Sequence, residues 1–106
     1  MLLLFAAGAF AQSDVPVDVQ ARLLNDKIIS ATKANKPEAM IGYIEQFKKL
    51  GSIFPNRLLV IEARAAYQLG DSKRAVSALR EYFKVANKGD EGYREAETLW
   101  ARQDEG

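Results

Sequence analysis

Neither cysteine nor histidine occurs in the 106-residue chain. Their absence excludes a disulfide framework, a thiol nucleophile, an imidazole base and any cysteine- or histidine-ligated zinc. Only carboxylates, Lys, Tyr, Ser and Thr remain for chemistry. The missing cysteine does not fix the redox compartment, because exported proteins need not carry disulfides. Long apolar runs are also lacking: the run at residues 2–11 has ten residues, about half of the ~20 that span a bilayer. Net charge is only +1, so there is no overall attraction to nucleic acid or anionic lipid. Val, Ile and Thr nowhere alternate with polar residues for long, and no strand is expected.

The charge that is present is unevenly placed. Residues 22–88 carry 13 Lys/Arg against 6 Asp/Glu, whereas residues 90–106 carry 2 Arg against 6 acids. The body is basic and the tail acidic. The apolar run ends in Ala9-Phe10-Ala11, a small-x-small pattern that suits signal-peptidase cleavage after Ala11. Residues 1–11 therefore read as a signal peptide and residues 12–106 as the mature domain. No Lys or Arg precedes the run, which suggests that the natural chain begins upstream of Met1. The competing reading is an apolar N-terminal helix packed on the domain. Export predicts a periplasmic or secreted protein with no stable membrane anchor once the segment is removed.

From Val17 to Arg102 the apolar residues recur at helical spacing. Asp14-Val15-Pro16 reads as a helix start with Asp14 as its cap. Val17, Ala21, Leu24, Ile28 and Ala31 share one face. Asn35 ends this helix or caps the next, which opens on Pro37-Glu38 and carries Ala39, Met40, Tyr43, Ile44, Phe47 and Leu50. A third helix opens near Pro55-Asn56 and is apolar on more than one side. Gly70 suits a left-handed terminator, with Asp71 or Ser72 as the following cap. Ala75, Val76, Leu79, Tyr82, Phe83 and Ala86 mark the fourth helix. Gly89-Asp90 is the next stop and cap, before a fifth stripe of Tyr93, Ala96, Leu99 and Trp100. Trp100 is expected in the core. Short connections make successive helices antiparallel neighbours.

The chain matches itself. At an offset of 35, Leu23-Leu24 fall on Leu58-Leu59, Ile28 on Ala63, Ala31 on Ala66 and Asn35 on Gly70. At an offset of 36, Ala39-Met40 fall on Ala75-Val76, Tyr43 on Leu79 and Phe47 on Phe83. The change of offset is expected in the turn. Helix pairs repeating near this period point to a stacked array. The alternative is a closed five-helix bundle.

These residues resemble the tetratricopeptide repeat, with Leu59, Ala63, Ala66, Leu69-Gly70-Asp71, Ala75 and Leu79 as the clearest unit. Leu24, Ile28, Ala31, Asn35, Ala39 and Tyr43 form a weaker one. The family's usual Trp is Leu here, its Tyr is Ala66, and its closing Pro is missing. The resemblance implies an all-α fold in which antiparallel helix hairpins stack as a short right-handed α-solenoid of about five helices. Hairpin 1 would span about residues 16–50, hairpin 2 about 55–87 and the fifth helix about 90–102.

No catalytic constellation is apparent, and neither an enzymatic activity nor a cofactor or metal is expected. Gly70-Asp71-Ser72-Lys73 lacks the strand and glycine spacing of a phosphate loop. Asp90, Glu91, Glu95 and Glu97 lack calcium-loop spacing and read as a solvated helix start. Glu45 with Lys48 and Lys49 reads as exposed pairing. Glu62, amid apolar residues, reads as a partly buried acid paired with Arg64 or with a base on another helix.

By the family resemblance, the inner face of each first helix would bind peptide. The positions are Arg22, Asn25 and Lys33, then Arg57, Val60, Arg64, Tyr67 and Gln68. This basic lining favours an acidic peptide or a terminal carboxylate. The expected function is that of an exported, non-enzymatic module for protein–protein interaction. Nucleic acid is not expected as a partner, since no motif interleaves aromatic and basic residues. A second expectation is a structural segment ahead of a larger exported enzyme. It rests on analogy: helical repeats resembling this one often precede catalytic domains, including formylglycine-generating-enzyme-like ones.

Overall fold

The computed structural model describes residues 14–103, so residues 2–11 and the cleavage point after Ala11 lie outside it. Among the described residues five α-helices follow one another: α1 (Val17–Lys33), α2 (Pro37–Lys49), α3 (Arg57–Gln68), α4 (Ser72–Val85) and α5 (Tyr93–Gln103). No strand occurs among the described residues. The fold is all-α, with adjacent helices packed on one another.

The two tight turns are the same device. Asn35 follows α1 with φ 54° and Gly70 follows α3 with φ 80°. After α1, the Asn35 amide donates to Thr32 and the Lys36 amide to Ala31; after α3, the Gly70 amide donates to Tyr67 and the Asp71 amide to Ala66. These paired bonds satisfy carbonyls that each helix end would leave open. The Asp71 side chain then caps α4 by accepting from the Arg74 amide at 3.1 Å. Asp14, expected to cap α1, does not: the helix begins after Pro16, whose carbonyl accepts from the Val19 and Gln20 amides. Pro37 occupies the first turn of α2, but no side chain caps it.

Core contacts fix the direction of each helix. Leu24 and Ile28 pack with Ile44 and Phe47, while Ala31 packs with Met40, so α1 and α2 are antiparallel. Leu58 joins the first of these clusters and Ala65 the second, which lays α3 antiparallel to α2. The other side of α3 offers Leu59, Val60, Ala63 and Ala66 to Ala75, Ala78, Leu79 and Tyr82 of α4. α3 is thus covered on two flanks, which is why its sequence is apolar on more than one side.

Burial keeps one offset throughout. Met40, Ile44 and Phe47 are buried in α2, and Ala75, Leu79 and Tyr82 in α4, each pair 35 residues apart. The expected change to 36 at the turn does not occur, because both turns use the same motif with the same number of residues. Ala39 and Tyr43 are correspondingly only partly buried, and Met40 and Ile44 take the core positions.

α5 starts at Tyr93 rather than at Asp90, whose carboxylate instead accepts from the Asn87 amide at 2.8 Å. The left-handed residue here is Gly92, with φ 90°, and not Gly89. A Cβ on Gly92 would lie 3.3 Å from Val60 Cγ2 and 3.7 Å from the Tyr82 hydroxyl, so its backbone rests directly on α3 and α4. Ala96 and Leu99 are buried in the same cluster, and Trp100 packs edge-on against Phe83 with ring centres 6.2 Å apart. No broad interface joins α1 to α4 or α5. A closed bundle would need one, and the helices form an open stack of hairpins instead.

Candidate protein-binding face

The first helices of the hairpins run side by side, and side chains bridge them at each step. Arg57 Nη2 donates to Asn25 Oδ1 at 2.7 Å, and Gln68 Nε2 donates to Asn35 Oδ1 at 3.0 Å. Residue numbers rise together along α1 and α3, so these helices are parallel. The next step repeats the pattern. Arg64 grips Glu95 through two hydrogen bonds of 2.6 and 2.7 Å, and Arg57 Nε lies 3.9 Å from Glu91. α5 therefore continues the row as a third parallel helix.

The structure separates the eight expected lining residues into three kinds. Arg22 and Lys33 are exposed and form no ion pair with a described residue. Asn25, Arg57, Arg64 and Gln68 lie on this face but are engaged in the bridges between helices. Val60 is 2% exposed beneath Gly92, and Tyr67 is half-buried with its ring against the α3–α4 core.

Sequence reading missed two contributors. Ile29 is 37% exposed, midway between Asn25 and Lys33 on the same stripe, and helical spacing alone could have flagged it. Glu95 was read as a solvated acid, yet it neutralises Arg64; no local pattern signals a contact across 31 residues. The basic body and the acidic tail thus meet in part on this face.

A second charged cluster lies between α2, α3 and α4. Glu62 is almost fully buried, and both its oxygens are held: Oε1 by Lys48 Nζ and Oε2 by Arg74 Nε, each at 2.9 Å. Arg74 Nη1 also reaches Glu45 at 3.0 Å. Its partners are bases on neighbouring helices and not Arg64. Burial by itself would lower the Arg74 pKa, but the hydrogen bonds to Glu45 and Glu62 outweigh it and the pKa lies above the ordinary value. Glu45, read as paired along its own helix, is a cross-helix partner instead. The Tyr82 hydroxyl donates to the Glu91 carbonyl at 3.0 Å. Burial pushes its pKa up, and the charge of Asp90 adds to the shift. Among the described residues, no group of three acidic side chains is gathered to hold a metal ion.

No protein-family model matches the chain, and no curated protein or solved structure matches it significantly.

Proposed function

We propose that this chain is a tetratricopeptide-like module, exported and non-enzymatic, that holds a protein segment on the face of α1, α3 and α5. One observation supports this most directly: the parallel first helices are bridged at each step, forming a continuous face. On hairpin 1 that face presents Arg22, Ile29 and Lys33 to solvent. Such a surface suits a segment with an apolar side chain set against Ile29 and carboxylates near Arg22 and Lys33. Arg57 and Arg64 contribute less to an acidic ligand, because Glu91 and Glu95 already compensate them. The interface is small, and affinity should be modest. Export rests on the sequence of residues 2–11. Among the described residues, no helix is long and apolar enough to cross a membrane.

The test is a screen of labelled acidic and neutral peptides at low and high salt. Acidic peptides should bind more tightly, weaken with salt, and lose about tenfold on Arg22→Glu with Lys33→Glu, each rim charge being worth up to about 1 kcal/mol when removed. Binding indifferent to both salt and the double variant would reject this face.

A further inference from the structure

The exact equivalence of the two hairpins reveals what the first one lacks. Leu24, Ile28 and Ala31 of α1 correspond to Leu59, Ala63 and Ala66 of α3, and all six are buried against their own hairpin's second helix. The adjacent flank behaves differently. Leu58, Glu62 and Ala65 of α3 are 0%, 4% and 0% exposed, because α2 of the preceding hairpin covers them. Ile44 and Phe47 meet Leu58, Lys48 meets Glu62, and Met40 meets Ala65. Their counterparts on α1 are Leu23, Lys27 and Ser30. Leu23 is 49% exposed, and Lys27 and Ser30 are exposed as well.

Two recesses mark this uncovered flank. One, of about 360 Å³, is lined by Val15, Leu23, Leu24 and Leu50, with Lys27 and Lys49 at its rim. The other, of about 350 Å³, is lined by Ala31, Ala34, Ala39 and Tyr43, and Lys27 borders it too. Lys27 belongs to both, so they form one seam along α1 and α2. Among the described residues, the charged groups facing the seam are Lys27, Lys36 and Lys49 against Asp26 alone. On α3 the equivalent of Lys27 is an acid, Glu62, and its partner on the covering helix is a base, Lys48. At α1 the sign is reversed.

We propose that this seam docks an amphipathic helix from a partner protein, seated on α1 as α2 is seated on α3. Its apolar stripe lies on Leu23 and Leu24, and an acidic residue on it pairs with Lys27. The Lys27 ammonium, now 5.7 Å from the centre of the Tyr43 ring, is the recognition point. Residues 2–11 contain no charged side chain and cannot supply that acid. This surface lies on a different flank from the face of the parallel first helices, and the proposal does not depend on peptide binding there.

The covering helix of hairpin 1 supplies the probe. A labelled peptide of residues 37–54 with Lys48→Glu, stapled because short isolated helices are marginal in water, is titrated into the full chain. It should bind about threefold tighter than the same peptide with Lys48 kept, as one ion pair at a partly exposed site allows. Lys27→Glu in the protein should reverse the preference. Leu23→Lys should weaken both peptides at least tenfold while helix content and melting temperature stay unchanged, Leu23 being half exposed. Arg22→Glu with Lys33→Glu should leave this binding unaltered. Failure of both peptides to bind, or indifference to Leu23→Lys, overturns the proposal. The chain has no native cysteine, so a Leu4→Cys, Leu23→Cys pair reports cleanly on self-coverage. Quantitative disulfide formation in that full-length variant also overturns the proposal, since the seam would be filled by the chain's own apolar segment.

Discussion

At Gly70 the backbone sits at φ 80°, with nothing within 4 Å of where a Cβ would stand. Space is therefore not the constraint; backbone conformation is. An L-residue in the left-handed region costs about 1–2 kcal/mol, so Gly70→Ala should lower unfolding free energy by about that amount in a urea titration. Asn35, at φ 54°, bears the same conformation with a side chain attached. Asn tolerates it better than most residues, and its Oδ1 gains a bond from Gln68. Tyr82 sets a different limit. Its folded pKa lies above the unfolded value because burial disfavours the phenolate, with Asp90, Tyr93 and Glu91 adding to the effect. The folded state thus holds that proton more tightly. The resulting stability is fully present below about pH 10 and is lost as pH rises through the higher folded pKa. Tyr82→Phe gives up the hydrogen bond to Glu91, about 1 kcal/mol, but cannot ionise. The stability difference between wild type and this variant should shrink from pH 9 to pH 11. A difference constant across that range would count against Tyr82 as a titrating group of the core.

Gly92 governs the placement of a whole element. Its positive φ and its 3.3 Å approach to Val60 both oppose a side chain, and it lies immediately before α5. Gly92→Ala should therefore loosen α5 from α3 and α4 before it unfolds the rest. The readouts are faster amide exchange across α5 and a shift in the emission of Trp100, the sole tryptophan, which packs on Phe83 and lies 6.0 Å from Arg80. Unchanged exchange in α5 would show that its seat does not depend on this contact. The same residue shows where sequence reading stopped. All five helices were legible, because each carries a periodic apolar stripe between recognisable breakers. So was the equivalence of Asn35 with Gly70, a matter of local backbone chemistry. The start of α5 was not, because Gly89 and Gly92 look alike until Val60 and Tyr82 approach one of them. On the candidate face, Arg57 and Arg64 were placed by the resemblance to the tetratricopeptide repeat. Their neutralisation by Glu91 and Glu95 could not be, since it depends on how α5 docks. The constant offset of 35 was likewise hidden: Ala39 and Met40 fit Ala75 and Val76 as residue types, and only burial shows that Met40 is the true counterpart of Ala75.

Across the whole molecule, stability in a stack is a sum of hairpins and the interfaces between them. Hairpin 1 meets hairpin 2 through Leu58 and Ala65 of α3 and through the ion cluster on Glu62. The apolar part is non-directional, whereas Glu62 fixes α2 and α4 at once, through Lys48 and Arg74. Glu62→Gln keeps the shape and removes the charge that both bases face. Arg74 retains Glu45, and Lys48 is 39% exposed and can be solvated, so the loss falls below the ~3–5 kcal/mol of a fully buried broken pair. We expect about 2 kcal/mol, on the scale of charge-assisted hydrogen bonds. The loss should be unequal along the stack. Among the described residues, hairpin 1 has an open flank at Leu23 and one neighbour, whereas α3 and α4 are held from both sides. In the variant, far-UV ellipticity, which averages over the helices, should begin to fall at lower urea than Trp100 fluorescence, which reports α5. In the wild type the two curves should coincide. Curves that stay superimposed in Glu62→Gln would mean that the apolar contacts of Leu58 and Ala65 suffice to couple the hairpins. The ion cluster would then act on total stability alone.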